Sequence, residues 1–74
     1  GMGNYVELIH RGGYVTIYGH LSKIDVRENQ SVHQGQKIGE VGKTGNANYR
    51  GIIPHLHLEV RHSGAALDPM QFLE

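Results

Sequence analysis

Between Asn4 and His10 the side chains alternate, with Tyr5, Glu7 and Ile9 on one face of an extended chain and Val6, Leu8 and His10 on the other. A period of two is the signature of a strand. Arg11-Gly12-Gly13 interrupts it, and Tyr14 to Leu21 resumes with the β-branched and aromatic residues Tyr14, Val15, Thr16, Ile17 and Tyr18, which favour a pleated surface. Two such runs across a short glycine-containing link predict a β-hairpin. Ile24-Asp25-Val26 predicts a short third strand, and Arg27 to Gln30 a polar turn. From Val32 to Gly45, glycines at 35, 39, 42 and 45 punctuate the apolar residues Val32, Ile38 and Val41. That texture predicts bulges and tight bends at the corners of a small sandwich or barrel. It argues against helix, where each glycine costs about 1 kcal/mol relative to alanine. Residues 46–54 read as a loop, and His55 to Arg61 as the best strand in the chain. Ser63-Gly64 turns it. Asp68-Pro69 then opens a short capped helical turn through Leu73, with Asp68 as N-cap and Pro69 at the first helical position. No amphipathic helix of ten residues is present. The pattern predicts an all-β domain of short strands.

Composition narrows the picture. At 74 residues the chain is one small domain, of a size that buries only about 60% of the surface its unfolded form exposes. Such chains commonly rely on a disulfide, a metal or a partner subunit. There is no cysteine, which removes disulfides, thiolate zinc sites and cysteine nucleophiles. The formal net charge is zero, so electrostatics give no case for nucleic acid or an anionic membrane. No apolar run approaches the length of a membrane span. Gly1-Met2 reads as a remnant of a cleaved tag, and residues 3–74 as a single partial domain.

The chemistry lies in the histidines. There are six, and without cysteine they are the principal zinc ligands on offer. His55 and His57 stand at i and i+2 in Pro54-His55-Leu56-His57-Leu58-Glu59-Val60. On a strand they project from one face, roughly 6.5–7 Å apart at Cα. One ring can then hold a metal while the other reaches whatever the metal holds. The competing reading places both on the solvent face of a half-buried strand whose Leu56, Leu58 and Val60 point inward. His20, in Tyr18-Gly19-His20-Leu21, ends the second strand, where a side chain can leave the sheet for a cleft or remain an ordinary strand-end residue. Tyr5 and Tyr18 read first as packing residues. His10 reads as a turn-anchoring or half-buried polar residue, His33 as part of a polar turn and His62 as exposed. The chain has no His-Glu-x-x-His. Its one His-x-x-x-Glu runs from His55 to Glu59, and Glu59 reads as a solvent-facing strand residue.

These motifs taken together resemble the lysostaphin/LytM-type peptidoglycan metallo-endopeptidases. The matching residues are Gly3-Asn4-Tyr5-Val6, His10, Gly12-Gly13, Thr16, Tyr18-Gly19-His20-Leu21, Val32, Gly35-Gln36, Ile38-Gly39, Val41-Gly42, Thr44-Gly45, Pro54 to Arg61 and Asp68-Pro69. The resemblance runs from Gly3 to Leu73. It implies a small antiparallel β-sandwich of the duplicated hybrid motif type, cut short on its N-terminal side, and an activity that hydrolyses peptide cross-links in the bacterial cell wall. It also implies Zn2+ as cofactor, His57 as a zinc ligand, His20 and His55 as catalytic residues, and Tyr18 as a substrate-binding residue. Peptidoglycan peptides are the implied partners, in an extracellular, periplasmic or cell-wall location. The resemblance further implies an upstream His-x-x-x-Asp that supplies two zinc ligands. It does not occur here, so the chain alone is expected to be inactive. Open sheet edges are expected to pair copies of the chain into a homo-oligomer.

Two other readings stay open. A non-catalytic module of the same fold would bind cell wall or a protein partner through the former substrate groove. The stretch Val32-x-x-Gly35-Gln36-x-Ile38-Gly39-x-Val41 prompts a lipoyl-type carrier, although Lys37 and Lys43 lack the flanking residues of such a carrier.

Overall fold

The computed structural model describes residues 1–45, 48 and 50–72. Among them the chain folds into two antiparallel sheets. The larger has strand order β1-β2-β5-β6, with β1 Val6–Ile9, β2 Tyr14–Gly19, β5 His57–His62 and β6 Ala65–Leu67. The smaller pairs β3 Leu21–Ile24 with β4 Gly39–Val41. The expected all-β, antiparallel class is the one observed, with short 3-10 turns at Arg11–Gly13 and Pro69–Phe72.

The alternation along β1 and β2 sets the register. Val6 lies opposite Tyr18, and Tyr18 opposite Leu58; Leu8, Thr16, Val60 and Leu67 form the next row. Directly paired residues share a face, so these side chains line one side of the sheet. Glu7, Ile17 and Glu59 form a row on the other. Val6 and Val60 are buried on the first side, Ile17 on the second, and Leu21 at the start of β3. Burying each such aliphatic side chain contributes about 1.5–3 kcal/mol. Tyr5, Val6, Tyr18, Leu21, Ile38 and Leu56 line a wide groove of about 1510 Å3.

Several elements differ from the sequence expectation. The second strand does not run through to Leu21. It breaks at His20, and the chain re-enters the smaller sheet as β3. The predicted strand at 24–26 is displaced to Leu21–Ile24, because β-branched Ile24 pairs with Gly39 while Asp25 only donates its N–H to the Ile38 carbonyl at 2.9 Å. His55 precedes β5 and is held by an isolated bridge to Gly42. The strand β6 was not expected, since Ala65-Ala66 has little strand preference. The Ser63-Gly64 turn creates it: both residues have positive φ, 51° and 84°, the two-residue geometry whose twist matches an antiparallel hairpin. The Asp68 cap is as expected, its Oδ1 accepting from Met70 N at 3.0 Å. Residues 46, 47 and 49 of the expected loop, and Leu73 of the expected helical turn, lie outside the described residues.

The smaller sheet carries a bulge at Ser22. A Cβ on Gly42 would fall 2.6 Å from Ser22 N and 2.9 Å from its Cα. Only a glycine lets the bulged backbone settle there. Lys37, one of the two lysines of the carrier reading, is engaged by Glu40 at 3.0 Å and Asp25 at 3.9 Å. The hydrogen bond and charge of Glu40, then the charge of Asp25, raise its amine above the ordinary lysine value.

A three-histidine candidate active site

Three segments deliver three imidazoles. His20 sits at the β2–β3 junction with φ 61°, a left-handed conformation that costs a non-glycine residue about 1–3 kcal/mol. Surrounding bonds hold it there. His20 N donates to Met2 O at 2.8 Å and Leu21 N to Asn4 O at 2.9 Å. The kink takes the ring out of the β2 alternation and buries it, 6% exposed. His57 opens β5 opposite Gly19. His55 is fixed by its own N–H, which donates to Gly42 O at 2.9 Å. The His20 ring lies edge-on to both others, its centroid 5.1 Å from that of His55 and 5.5 Å from that of His57.

Each ring has one nitrogen committed. His20 Nδ1 lies 2.7 Å from Thr44 O and His55 Nδ1 lies 3.1 Å from Ile53 O. A carbonyl can only accept, so both Nδ1 atoms carry hydrogen, and each neutral ring keeps its lone pair at Nε2. His57 is set the other way. Its Nε2 donates to Glu59 Oε2 at 2.9 Å, which leaves the lone pair at Nδ1. Arg61 completes the row by donating to Glu59 Oε1 from its terminal nitrogen at 2.7 Å and from Nε at 3.1 Å. The hydrogen bond from His57 and then that from Arg61 hold the Glu59 carboxyl below its ordinary value of 4.5.

That depression has a sign. A carboxyl with a lowered folded-state value stabilises the fold fully above its unfolded value and ceases to do so as pH falls through the folded one. With chelator present, the melting temperature of the native chain should exceed that of Glu59→Gln at pH 7. The gap should narrow as the buffer is taken below about 4.5. Melting curves across pH 7 to 3 check this, and a constant gap would contradict it.

The structure thus brings His20, His55 and His57 together and leaves Tyr18 apart. Tyr18 pairs with Leu58, which alternates with His57, so its ring projects from the opposite side of the sheet and lines the wide groove. Glu59 is more than a solvent-facing strand residue, and the spacing His57-x-Glu59-x-Arg61 on one strand face was the signal for it. His62 is half-buried rather than exposed. It stacks on Tyr14 with centroids 4.2 Å apart and donates from Nε2 to Gly12 O at 2.9 Å. His10 is exposed and bonds Thr16 Oγ1 at 2.8 Å.

His57 suits one position of a zinc site, because a metal-bound imidazole typically fixes its second nitrogen on a carboxylate. Among the described residues, however, no group of three His, Cys, Asp or Glu side chains is placed to hold a metal ion. A zinc site takes three or four protein ligands, so these residues do not complete one by themselves.

Comparison with known proteins identifies relatives of the whole described chain. The chain is 41% identical over 73 residues to the lipoprotein NlpD/LppB homolog of Pseudomonas aeruginosa, covering 99% of this chain and 23% of that protein. It is 37% identical over 73 residues to the murein hydrolase activator NlpD of Escherichia coli, covering 99% of this chain and 18% of that protein. It therefore spans less than a quarter of these curated relatives. Among solved structures, a zinc-containing peptidase from Vibrio cholerae superposes with a TM-score of 0.81 at 43% identity, over 93% of this chain and 20% of that one. The model of peptidase family M23 matches residues 1–69, which takes in both sheets and every histidine described above. By its fold, its motifs and that match, the chain belongs to peptidase family M23.

Proposed function

We propose that the chain carries the proton-transfer side of a site that hydrolyses peptide bonds in bacterial peptidoglycan, with His57 as one ligand of a zinc ion. The remaining donors would come from outside the described residues. The observation that carries this reading is the gathering of the His55 and His57 rings beside the His20 ring, at centroid distances of 5.1 and 5.5 Å, each ring keeping one nitrogen without a hydrogen-bond partner among the described residues. Family membership and the zinc-containing peptidase support it.

Zinc bound there would polarise the scissile carbonyl and lower the pKa of bound water from about 15.7 toward 7. His55 is exposed, and its Nε2 lone pair is free to take a proton from the attacking water. His20 is set differently from a simple donor. Its neutral form also presents a lone pair at Nε2, so it gives a proton to the developing oxyanion or leaving amine only after gaining one. Arg61 and Glu59 act on His57 alone, by fixing its tautomer and ring plane. The substrate places the reaction outside the cytoplasm, in keeping with relatives named as lipoproteins.

A second reading has its own support. No set of three metal-binding side chains forms among the described residues, and one relative is named a murein hydrolase activator. This reading makes the chain a non-catalytic wall-binding or partner-binding module. One experiment separates the two. The protein is incubated with stem-peptide and pentaglycine substrates, with added zinc or with chelator, and in parallel with purified cell walls. Turnover that needs zinc supports hydrolysis. Wall retention indifferent to chelator, without turnover, supports the module.

A further inference from the structure

The three imidazoles differ in what fixes them, and His20 depends on a residue far along the chain. Thr44 follows β4, and its carbonyl oxygen receives the His20 Nδ1 hydrogen at 2.7 Å. The Thr44 side chain is held at two points of its own. Its hydroxyl donates to Leu21 O at 2.9 Å and accepts from Asn4 N at 3.1 Å. Those two residues are bonded to each other, Leu21 N donating to Asn4 O at 2.9 Å. The hydroxyl therefore pins Thr44 to the backbone that immediately follows His20, and to the segment paired with it. Gly45 comes next, at φ 71°, and contributes no side chain to hold the carbonyl's direction.

We infer that Thr44 is a positioning residue. By anchoring itself through its hydroxyl, it keeps its carbonyl on His20 Nδ1 and so locks the ring in the Nδ1–H tautomer, with the lone pair left at Nε2 of a ring that lies beside the other two histidines. A neutral imidazole otherwise interconverts between two tautomers, and what the second nitrogen bonds decides which one prevails. The use of that basic nitrogen rests on the hydrolytic reading above, while the tautomer and its dependence on Thr44 do not.

The test is spectroscopic. Long-range 1H–15N correlation spectra of the uniformly labelled protein, recorded with chelator and at a pH where the imidazoles are neutral, distinguish the protonated from the bare ring nitrogen. His20 should show a protonated Nδ1 and a bare Nε2. Thr44→Ser keeps the hydroxyl and should preserve that pattern. Thr44→Val keeps the shape without the hydroxyl and should raise the Nε2–H population several-fold. A native His20 in the Nε2–H form would overturn the inference, as would an unchanged tautomer population in Thr44→Val. If Thr44→Val loses its dispersed amide spectrum, the native and Thr44→Ser spectra still decide, because an Nε2–H ring in either is incompatible with the lock. A protein that shows the expected tautomers yet hydrolyses nothing would count against the hydrolytic reading and leave the role of Thr44 standing.

Discussion

Alanine at His57 is expected to abolish the proposed zinc-dependent hydrolysis in a protein that also supplies the remaining zinc donors, while alanine at His55 lowers it by about 10²–10⁴-fold, the usual contribution of a positioned acid–base group. The two losses have different origins. Without His57 the protein loses the proposed zinc ligand, and Glu59 keeps only Arg61. Without His55 the proposed metal position is untouched, and what disappears is the exposed Nε2 proposed to accept a proton. Glu59→Gln belongs between them, because outer partners of metal-binding histidines typically affect metal affinity by about 10–100-fold. Both histidine side chains are exposed, and His55 is anchored through its backbone N–H, so melting temperatures should stay within a few degrees of native. Tyr18→Phe is the control. Its ring lies on the other side of the sheet, and activity should not change. Substrate cleavage measured with and without zinc checks the series. Full activity in His55→Ala, or a large loss in Tyr18→Phe, would defeat the assignment.

Valine at Gly42 is expected to destabilise the chain by about 3 kcal/mol, the upper range for forcing atoms into packed structure. The first atom added already meets the Ser22 backbone at 2.6–2.9 Å, and backbone cannot rotate aside as a side chain can. For a domain of this size the melting point should fall by about 12–24 °C. The same substitution reaches the site, since the Gly42 carbonyl accepts the His55 N–H and any shift of β4 carries His55 away from His20. Lys43→Ala, at the next and exposed position, should stay within about 0.5 kcal/mol of native. Thermal melts of the two variants decide the matter, and a near-native Gly42→Val would show that the bulge at Ser22 can relax.

The legible parts of the sequence were those written in period two. Val6 and Leu8 against Ile9, and Leu58 and Val60 against Glu59, marked strands of the larger sheet and their faces, because a half-buried strand must alternate. The pair His55 and His57 and the Tyr18-Gly19-His20-Leu21 motif pointed to the three histidines that the fold brings together. That the second strand ends at His20 was legible, but the left-handed backbone there was not. Nothing local in Gly19-His20-Leu21 demands a positive φ at the histidine, which is held by bonds to Met2 and Asn4 outside the strand. The same holds for Thr44, whose role arises from partners 23 and 40 residues away. Residue spacing cannot reveal a hydrogen bond that only the pairing of two sheets creates.

That kink divides the molecule's tolerances. Tyr18, Leu58 and Val60 occupy one side of the sheet and the His57-Glu59-Arg61 row the other, with backbone as their common boundary. Changes on opposite sides share no side-chain partners, so their free-energy effects should sum without a coupling term. Either surface can then be redesigned while the opposite one stays as it was.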